Sequence, residues 1–471
     1  MLQKFKNLSN KQIALLVAVI SFITLYSCHF PYIVEGDTIM YLVRMEIFAQ
    51  DGLFVFCQSN QVLSMVKHIG YLALLGCFRI LTPFFTPEGT VTFSSCLFSS
   101  LTLAVTYLLA VRIFKDRSLA MISTLILFSI RMFLYFTLLG EQYTLQSFLI
   151  VLILLLIYDG HTMLAGIVLG LSLYASPSCG YPILAYMYLI WKRSHSWVNE
   201  VKIWILPIAI FGPCFFYFYD AYRKNVGWTM ASWWSDIVTG VQGFKIVGTQ
   251  MLDNLVLFSP FFVIGFILAW KQHRDLFWMF ILSVVPYSWL VIGGAVTKWW
   301  VPVFPLFSML IAVPFKKRLL KRIFSIFLLV SLVTSSTMML IPVYNESISQ
   351  RDVFIELRTY KPIIMRWSSG MLYELYGGDN KYHDILDVEI DGPPAMDRIL
   401  NKTGYVYLYD YMEIQCRPET TLYGLFLKIA YNNQIVRVKE RFQVIDGFDF
   451  NYTKVREFPD GTIIWNITRK D

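Results

Sequence analysis

The chain has 471 residues, of which 56% are hydrophobic and only 15% are charged, and its mean hydropathy is +0.55. Soluble domains carry about 25% charged residues, so the composition excludes a soluble globular protein and indicates an integral membrane protein. The formal net charge of +8 therefore bears on orientation in the membrane rather than on binding of nucleic acid. The seven cysteines show neither a CxxC pair nor the spacing of metal ligands, which predicts no disulfide framework.

Apolar runs recur along the first 343 residues. A transmembrane helix needs roughly 17–25 mostly apolar residues, and about eleven runs are candidates on this basis. They are 12–30, 90–113, 118–139, 143–158, 162–178, 181–192, 201–219, 251–270, 276–294, 300–315 and 322–343. The first run lacks a cleavage site of small residues, so we expect an anchor rather than a removed signal peptide.

The distribution of lysine and arginine predicts the orientation of these spans, because cytoplasmic loops are enriched in both. Basic clusters occur at the N-terminus and at 112–117, 191–197, 271–275 and 316–322. All of them fall on one side if the further run 69–85 lies along the membrane surface instead of crossing it. The prediction is a cytoplasmic N-terminus, an outer loop 30–89 with juxtamembrane helices, and a C-terminus on the extracytoplasmic or luminal side.

The last part of the chain differs in kind. Residues 404–411 and 454–468 alternate as strands do, and Pro459, Asp460 and Gly461 divide the second stretch as a hairpin turn would. We expect a transmembrane domain at 1–343 and a soluble α/β domain at 344–471. Four Asn-x-Ser/Thr sequons in this tail fit exposure to a lumen, although the motif is common.

Two carboxylates follow the first predicted span. Glu35 and Asp37 precede the amphipathic segment TIMYLVRMEIFAQ at 38–50. One interpretation is that Asp37 caps a helix and accepts backbone N–H bonds. The other is that it marks a functional site, because ionisable groups beside a membrane are expensive. The two are compatible, since a capped carboxylate stays ionised, as a general base requires.

Glu141 lies in GEQYT between two apolar runs. It is either part of a solvated tight turn or a member of the same outer site as Asp37. Arg131, inside a predicted span, is expected to be paired or to face a cavity.

Other basic residues fall on the predicted outer side. These are Lys67, His68, Arg223 and Lys298. Tryptophans near them are typical of the interfacial belt, but cations at a bilayer surface are natural partners for a lipid phosphate. The sequence has no phosphate-binding Gly-rich loop, HExxH motif or nucleophile elbow, so nothing indicates a soluble nucleotide as substrate.

The order of these features resembles the GT-C superfamily of polyprenyl-phosphate-sugar-dependent glycosyltransferases, in particular the protein O-mannosyltransferases and aminoarabinose transferases. The resemblance covers roughly residues 10–195 and is carried by four segments in order. They are EGD (35–37), VKHIGYLALLGCFRIL (66–81), YLLAVRIFKDRS (107–118) and GEQYTLQ, which contains Glu141. The prolines that follow the lysine in the family motif are replaced here by His68 and Ile69.

The resemblance implies a polytopic α-helical GT-C-like fold with a soluble C-terminal domain. It also implies an inverting transfer in which Asp37 is the base and a polyprenyl phosphate leaves. Lys67 matches a basic position of the family motif, and Glu141, the second candidate catalytic residue, would bind the acceptor or the donor sugar. Some members need a divalent metal and others do not, so a metal shared by Asp37 and Glu141 remains an alternative, and no ligands are assigned.

The partners implied are a polyprenyl-phosphate-linked sugar donor and a glycan, lipid or protein acceptor. The candidate binding residues are Glu35, Lys67, His68, Arg131, Arg223 and Lys298, of which Arg223 and Lys298 follow from position and charge rather than from the resemblance. Two competing interpretations remain. A transporter or flippase of lipid-linked sugars would show repeat symmetry and charges at mid-membrane, and a non-catalytic assembly subunit would need no intact Asp37.

Overall fold

The structure is a computed structural model of the full chain. It describes residues 8–31, 36–58, 68–194, 197–221, 223, 255, 258–294, 297–365, 370, 373, 382–384, 388, 392–410, 412–414, 437–439, 448–458 and 462–470. The chain divides into two compact units. The first comprises Met1–Phe30 and Arg44–Leu340, and the second comprises Pro31–Val43 and Ile341–Asp471.

Helices account for most of the first unit. In chain order they are α1 (Asn10–Ser27), α2 (Gly36–Gln58, which begins within the second unit), α3 (Ile69–Leu81), α4 (Pro87–Phe114), α5 (Arg117–Ser129), α6 (Arg131–Leu139), α7 (Tyr143–Tyr158), α8 (Thr162–Ala175), α9 (Ile183–Ser194), α10 (Trp197–Tyr217), α11 (Ser259–Gln272), α12 (Arg274–Gly294), α13 (Phe304–Ala312) and α14 (Arg318–Ser335). Short 3₁₀ helices at Pro177–Gly180 and Thr297–Val303 follow α8 and α12.

The number of membrane spans is not confirmed. Among the described residues, α1 and α4 are long and apolar enough to cross a membrane, and α5 with α6 would make a third if the bent pair counts as one span. The run 69–85 corresponds to the 13-residue helix α3, shorter than the roughly 17 residues that a span needs. The apolar helices are those of an integral membrane protein.

The predicted span at 118–139 is broken at Ile130. Helices α5 and α6 meet there at a bend of 62°, and Ile130 has extended backbone angles (φ −67°, ψ 119°). Neither proline nor glycine occurs between Arg117 and Leu139, so the usual local cause of a kink is absent. The nine residues of α6 rise only about 14 Å.

Small hydroxyl side chains let α4 pack closely at the centre of the first unit. Ser99 Oγ lies 2.7 Å from Thr137 Oγ1 of α6, and Ser95 Oγ donates to Phe136 O (3.2 Å) and Thr144 Oγ1 (3.2 Å). Other hydroxyls of α4 return to their own helix, as Thr102 does to Phe98 O (2.7 Å). Small residues that allow close approach, with hydrogen bonds across the interface, are typical of helix packing in membranes.

Polar contacts join the helix ends at the side where the basic clusters were predicted. Arg112 of α4 pairs with Asp159 after α7 (3.0 Å), and Lys192 of α9 pairs with Asp275 of α12. The guanidinium of Arg193 lies 3.7 Å from the ring centre of Tyr158. The basic clusters 112–117, 191–197 and 271–275 therefore lie together near the C-terminal end of α7. The Glu141 turn lies at the other end of α7, before its first residue.

The second unit contains a mixed sheet. Its strands are β1 (Ile363–Met365), β2 (Tyr382–Asp384), β3 (Tyr405–Asp410), β6 (Phe450–Glu457) and β7 (Ile463–Arg469), in the order β2-β1-β3-β7-β6. The pair β4 (Met412–Ile414) and β5 (Arg437–Lys439) forms a separate antiparallel ladder. Helices α15 (Ile341–Leu357) and α16 (Pro393–Thr403) belong to the same unit.

Alternation of apolar residues explains the core of this sheet. Val406 and Leu408 of β3 and Ile467 of β7 are buried with Met396 and Leu400 of α16. Strands β6 and β7 pair antiparallel, which confirms the predicted hairpin, and β3 confirms the predicted strand at 404–411. The turn residues 459–461 lie outside the described residues.

Candidate functional site

The turn that carries Glu141 is fixed by glycine. Gly140 ends α6 with φ +95°, a left-handed conformation that glycine adopts without strain. A Cβ at this position would lie 2.7 Å from Val91 Cγ1 of α4. The backbone N–H of Glu141 donates to Phe136 O (3.1 Å), and Thr144 Oγ1 donates to Glu141 O (3.0 Å). Glu141 is 0% exposed, so it is not the solvated turn residue that one interpretation predicted.

Gly140→Ala is expected to lower the free energy of unfolding by about 2–5 kcal/mol, because a left-handed alanine and a collision with α4 are combined. Thermal unfolding of the purified chain in detergent measures this change. Gly160→Ala is the matched control, since Gly160 also has a positive φ (+85°) but nothing lies within 4 Å of its added Cβ. The control is expected to lose only about 1–2 kcal/mol, and equal losses in the two variants would contradict a role for the close approach to Val91.

A buried hydrogen bond connects the Glu141 turn to the start of α3. Gln142 Nε2 lies 3.0 Å from Nε2 of His68, the residue that caps α3, and both side chains are buried. When the amide donates, His68 Nε2 accepts and the imidazole proton is on Nδ1. Tyr71, one turn into α3, donates its hydroxyl to Gly140 O (3.3 Å). The structure thus brings His68 to the turn that carries Glu141.

The segment after α8 joins the same polar group. Ser178 Oγ donates to Gln146 Oε1 (2.8 Å) and lies 2.7 Å from Ser176 Oγ. Tyr287 of α12 donates its hydroxyl to Ser178 O (2.7 Å). Gly70 of α3 packs closely against α8, and an added Cβ would lie 2.6 Å from the backbone carbonyl carbon of Tyr174. This contact joins α3 to α8, and the hydrogen bonds of Gln142 and Gln146 join both to the start of α7.

The 3₁₀ helix Thr297–Val303 also packs against α7. Ser147 Oγ donates to Val301 O (3.0 Å). Trp300 is buried, and no described residue accepts a hydrogen bond from its indole N–H. Lys298 lies in the first turn of this 3₁₀ helix, and its side chain is outside what the structure describes.

Glu35 and Asp37, the two carboxylates after the first predicted span, lie at the edge of a segment that the structure does not describe. Glu35 and Lys67 both fall in gaps of the description. Asp37 is the second residue of α2, so it lies in the first turn of the helix rather than at the capping position before it. Its side chain is not described, and residues 31–43 belong to the second unit.

The two arginines have different surroundings. Arg223 is exposed, beyond the end of α10, whereas Arg131 is 3% exposed and begins α6 directly after the bend. The bend therefore places Arg131 at the start of a helix. Arg44 of α2 is equally buried at 3%, and it is not among the predicted site residues.

The residues that sequence reasoning missed are neutral. Gln142 and Gln146 were not predicted as site residues, because the prediction relied on charged side chains and glutamine is uncharged. Their spacing was a usable signal, since residues four apart share one helix face and α7 is otherwise almost wholly apolar after Ser147.

No group of three His, Cys, Asp or Glu side chains that could hold a metal ion occurs among the described residues. The described donors around Glu141 are amides, hydroxyls and an imidazole.

Comparison with known proteins bears on the fold. No family model and no curated protein matches the sequence. Among solved structures, ArnT from Cupriavidus metallidurans bound to undecaprenyl phosphate aligns with a TM-score of 0.58 and 10% identity over 96% of this chain and 97% of that chain. The apo state of the same ArnT aligns with a TM-score of 0.56, with the same identity and coverage. The chain therefore has the fold of ArnT over nearly its whole length.

Proposed function

We propose that the protein is an inverting glycosyltransferase that moves a sugar from a polyprenyl-phosphate donor to an acceptor hydroxyl. The observation that carries the proposal is the likeness to ArnT bound to undecaprenyl phosphate, because it extends over nearly the whole chain. The fully buried Glu141, at a turn held by three helices, supports it as well, since buried carboxylates in membrane proteins are retained for function.

In the proposed reaction Asp37 is the general base. The acceptor oxygen attacks the anomeric carbon of the donor, and its proton passes to the Asp37 carboxylate. The bond between the anomeric carbon and the phosphate oxygen breaks, and the electron pair leaves with the polyprenyl phosphate. A single displacement of this kind inverts the anomeric configuration.

Cations would stabilise the charge that develops on the leaving phosphate. We assign this role to Lys67, on the family motif, and to Lys298, Arg223 and Arg131, on charge and position. Glu35 and His68 are assigned to substrate binding. Glu141 would bind a hydroxyl or amino group of donor or acceptor, and its burial favours a strong interaction because the surroundings have a low dielectric constant.

The proposed orientation follows from the basic clusters. The end of the helical unit that carries Arg112, Lys192 and Arg193 would face the cytoplasm, and the Glu141 end would face the outer or luminal side. Residues 1–343 would form the catalytic membrane domain and 344–471 a soluble domain on the outer side. The acceptor, whether glycan, lipid or protein, is left to experiment.

Transfer can be tested with the purified full chain in proteoliposomes. Undecaprenyl-phosphate-linked pentoses and hexoses labelled in the sugar serve as donors, with lipid, glycan and peptide acceptors. We expect release of undecaprenyl phosphate that depends on one acceptor class, and a product of inverted anomeric configuration. Movement of intact sugar lipid between leaflets without cleavage would instead identify a flippase, and retention of configuration would contradict the single displacement.

A further inference from the structure

The side-chain amide of Gln142 is only half satisfied. The amide nitrogen Nε2 is hydrogen-bonded to His68 Nε2. The amide oxygen Oε1 is buried, and no described residue donates a hydrogen bond to it. The whole residue is 4% exposed. A buried acceptor without a donor costs about 1–3 kcal/mol, so such atoms are rare in native structures and call for a specific explanation. A ligand that donates a hydrogen bond to Oε1 would explain why this acceptor has no donor from the protein.

One turn further along the same face of α7, Gln146 continues the row of polar groups. It is 2% exposed, and its Oε1 accepts from Ser178, which in turn contacts Ser176. The ring of Tyr181 packs edge-on against Tyr287, with centroids 5.4 Å apart, next to the carbonyl of Ser178 that Tyr287 binds. This row therefore consists of neutral donors and acceptors next to aromatic rings.

Neutral amides and hydroxyls fit a ligand that carries hydroxyl groups. A sugar hydroxyl can both donate and accept hydrogen bonds, as the NH₂ group and the oxygen of a glutamine amide do together. An ionised phosphate only accepts hydrogen bonds, and proteins bind it with cationic side chains. We infer that Gln142, with Gln146 and Ser178, forms the subsite that binds the sugar hydroxyls of the lipid-linked donor. The inference rests on the proposed glycosyltransferase function and names the part of the donor that this row of residues recognises.

A different role for Gln142 would be to hold His68, and through it the neighbouring Lys67, against a phosphate. The two roles differ in the ligand that the residue distinguishes. A sugar subsite affects the affinity for the sugar-bearing lipid alone, whereas a clamp on the phosphate site affects both that lipid and bare undecaprenyl phosphate.

The test compares dissociation constants of the purified full chain in detergent for two probes. One is undecaprenyl phosphate, and the other is the undecaprenyl-phosphate-linked pentose or hexose that binds the wild-type chain most tightly. Gln142→Leu is expected to weaken binding of the sugar lipid about three- to tenfold, the range of a neutral hydrogen bond. Binding of undecaprenyl phosphate should change less than about twofold on the same basis.

Gln272→Leu is the matched control, because Gln272 is exposed at the end of α11 and should affect neither probe. Gln142→Met keeps the length of the side chain and replaces Gln142→Leu if that variant fails to fold. A deoxy-sugar lipid that lacks the bound hydroxyl should bind wild type and variant alike, which identifies the hydroxyl by a double-mutant cycle.

Equal weakening of both probes, or no weakening of either, would overturn the sugar subsite while leaving the glycosyltransferase proposal intact. A wild-type chain that binds the sugar lipids no more tightly than undecaprenyl phosphate would overturn it too. A wild-type chain that binds none of these lipids would overturn the proposed function itself.

Discussion

Replacement of Asp37 by asparagine is expected to reduce sugar transfer by about 10²–10⁴-fold, which is the contribution of a positioned general base. Asparagine keeps the size of the side chain but cannot take the acceptor proton. Binding of undecaprenyl phosphate should be retained, because the base acts on the acceptor. Initial rates with a labelled donor, and a separate binding measurement, check the two parts of this result.

Asp51→Asn is the control for Asp37, because Asp51 lies in the same helix and is exposed. We expect its rate to stay within about twofold of the wild-type rate, as for a surface substitution. Full activity of the Asp37→Asn chain would sink the assignment of the base. Loss of folding in that chain, seen by size-exclusion chromatography, would instead favour the role of Asp37 at the helix start.

Glu141→Gln is expected to lower kcat/KM by about ten- to 150-fold, the equivalent of one charged hydrogen bond. The thermal stability should change far less than kcat/KM, because the amide keeps the size of the side chain and can still accept a hydrogen bond. This combination distinguishes a functional carboxylate from a structural one, whose removal lowers both activity and stability. Steady-state kinetics and thermal unfolding of the same preparation give both values.

Glu88 provides the comparison for Glu141. It is also buried, at 6% exposed, and lies in the first turn of α4, where a carboxylate favours the helix dipole. Glu88→Gln should lower stability by about 0.3–1 kcal/mol and leave kcat/KM unchanged. A similar loss of kcat/KM in the two variants would argue that Glu141 has no special role.

The sequence predicted the helices well where an apolar run was continuous and its ends were marked. Helix α7 begins and ends where the run 143–158 does, because Gly140 stops the preceding helix and Gly160 lies just after its end. Thr86 and Pro87 likewise define the start of α4. The strands of the C-terminal hairpin were found from alternation alone.

The break at Ile130 could not be predicted, because no proline or glycine marks it. The bend depends on how α5 and α6 pack against other helices, and such tertiary contacts leave no local pattern. Arg131 was the only hint, because a cation inside an apolar run needs a partner or a cavity. The number of spans was not confirmed among the described residues, and an apolar run does not show whether its helix is continuous.

Two of the predicted site residues lie near one another in the structure, and their roles stay predictions. Charge placement and the family order singled out Glu141 and His68, and the structure joins their neighbourhoods through Gln142. The hydrogen bond itself could not be predicted, because it joins residues 74 positions apart that are brought together by the packing of α3 on α4 and α8. The positions proposed for Asp37 and Lys67 stay predictions.

The short length of α8 has a consequence for the surrounding lipid. Met163, Leu164 and Leu171 of this helix are exposed, yet its 14 residues rise only about 21 Å, against roughly 30 Å for a hydrocarbon core. A helix that is too short for its bilayer is accommodated by local thinning. Where α8 lies against lipid, thinning of this kind would bring the membrane surface towards Ser176 and Ser178, the polar residues that follow the helix.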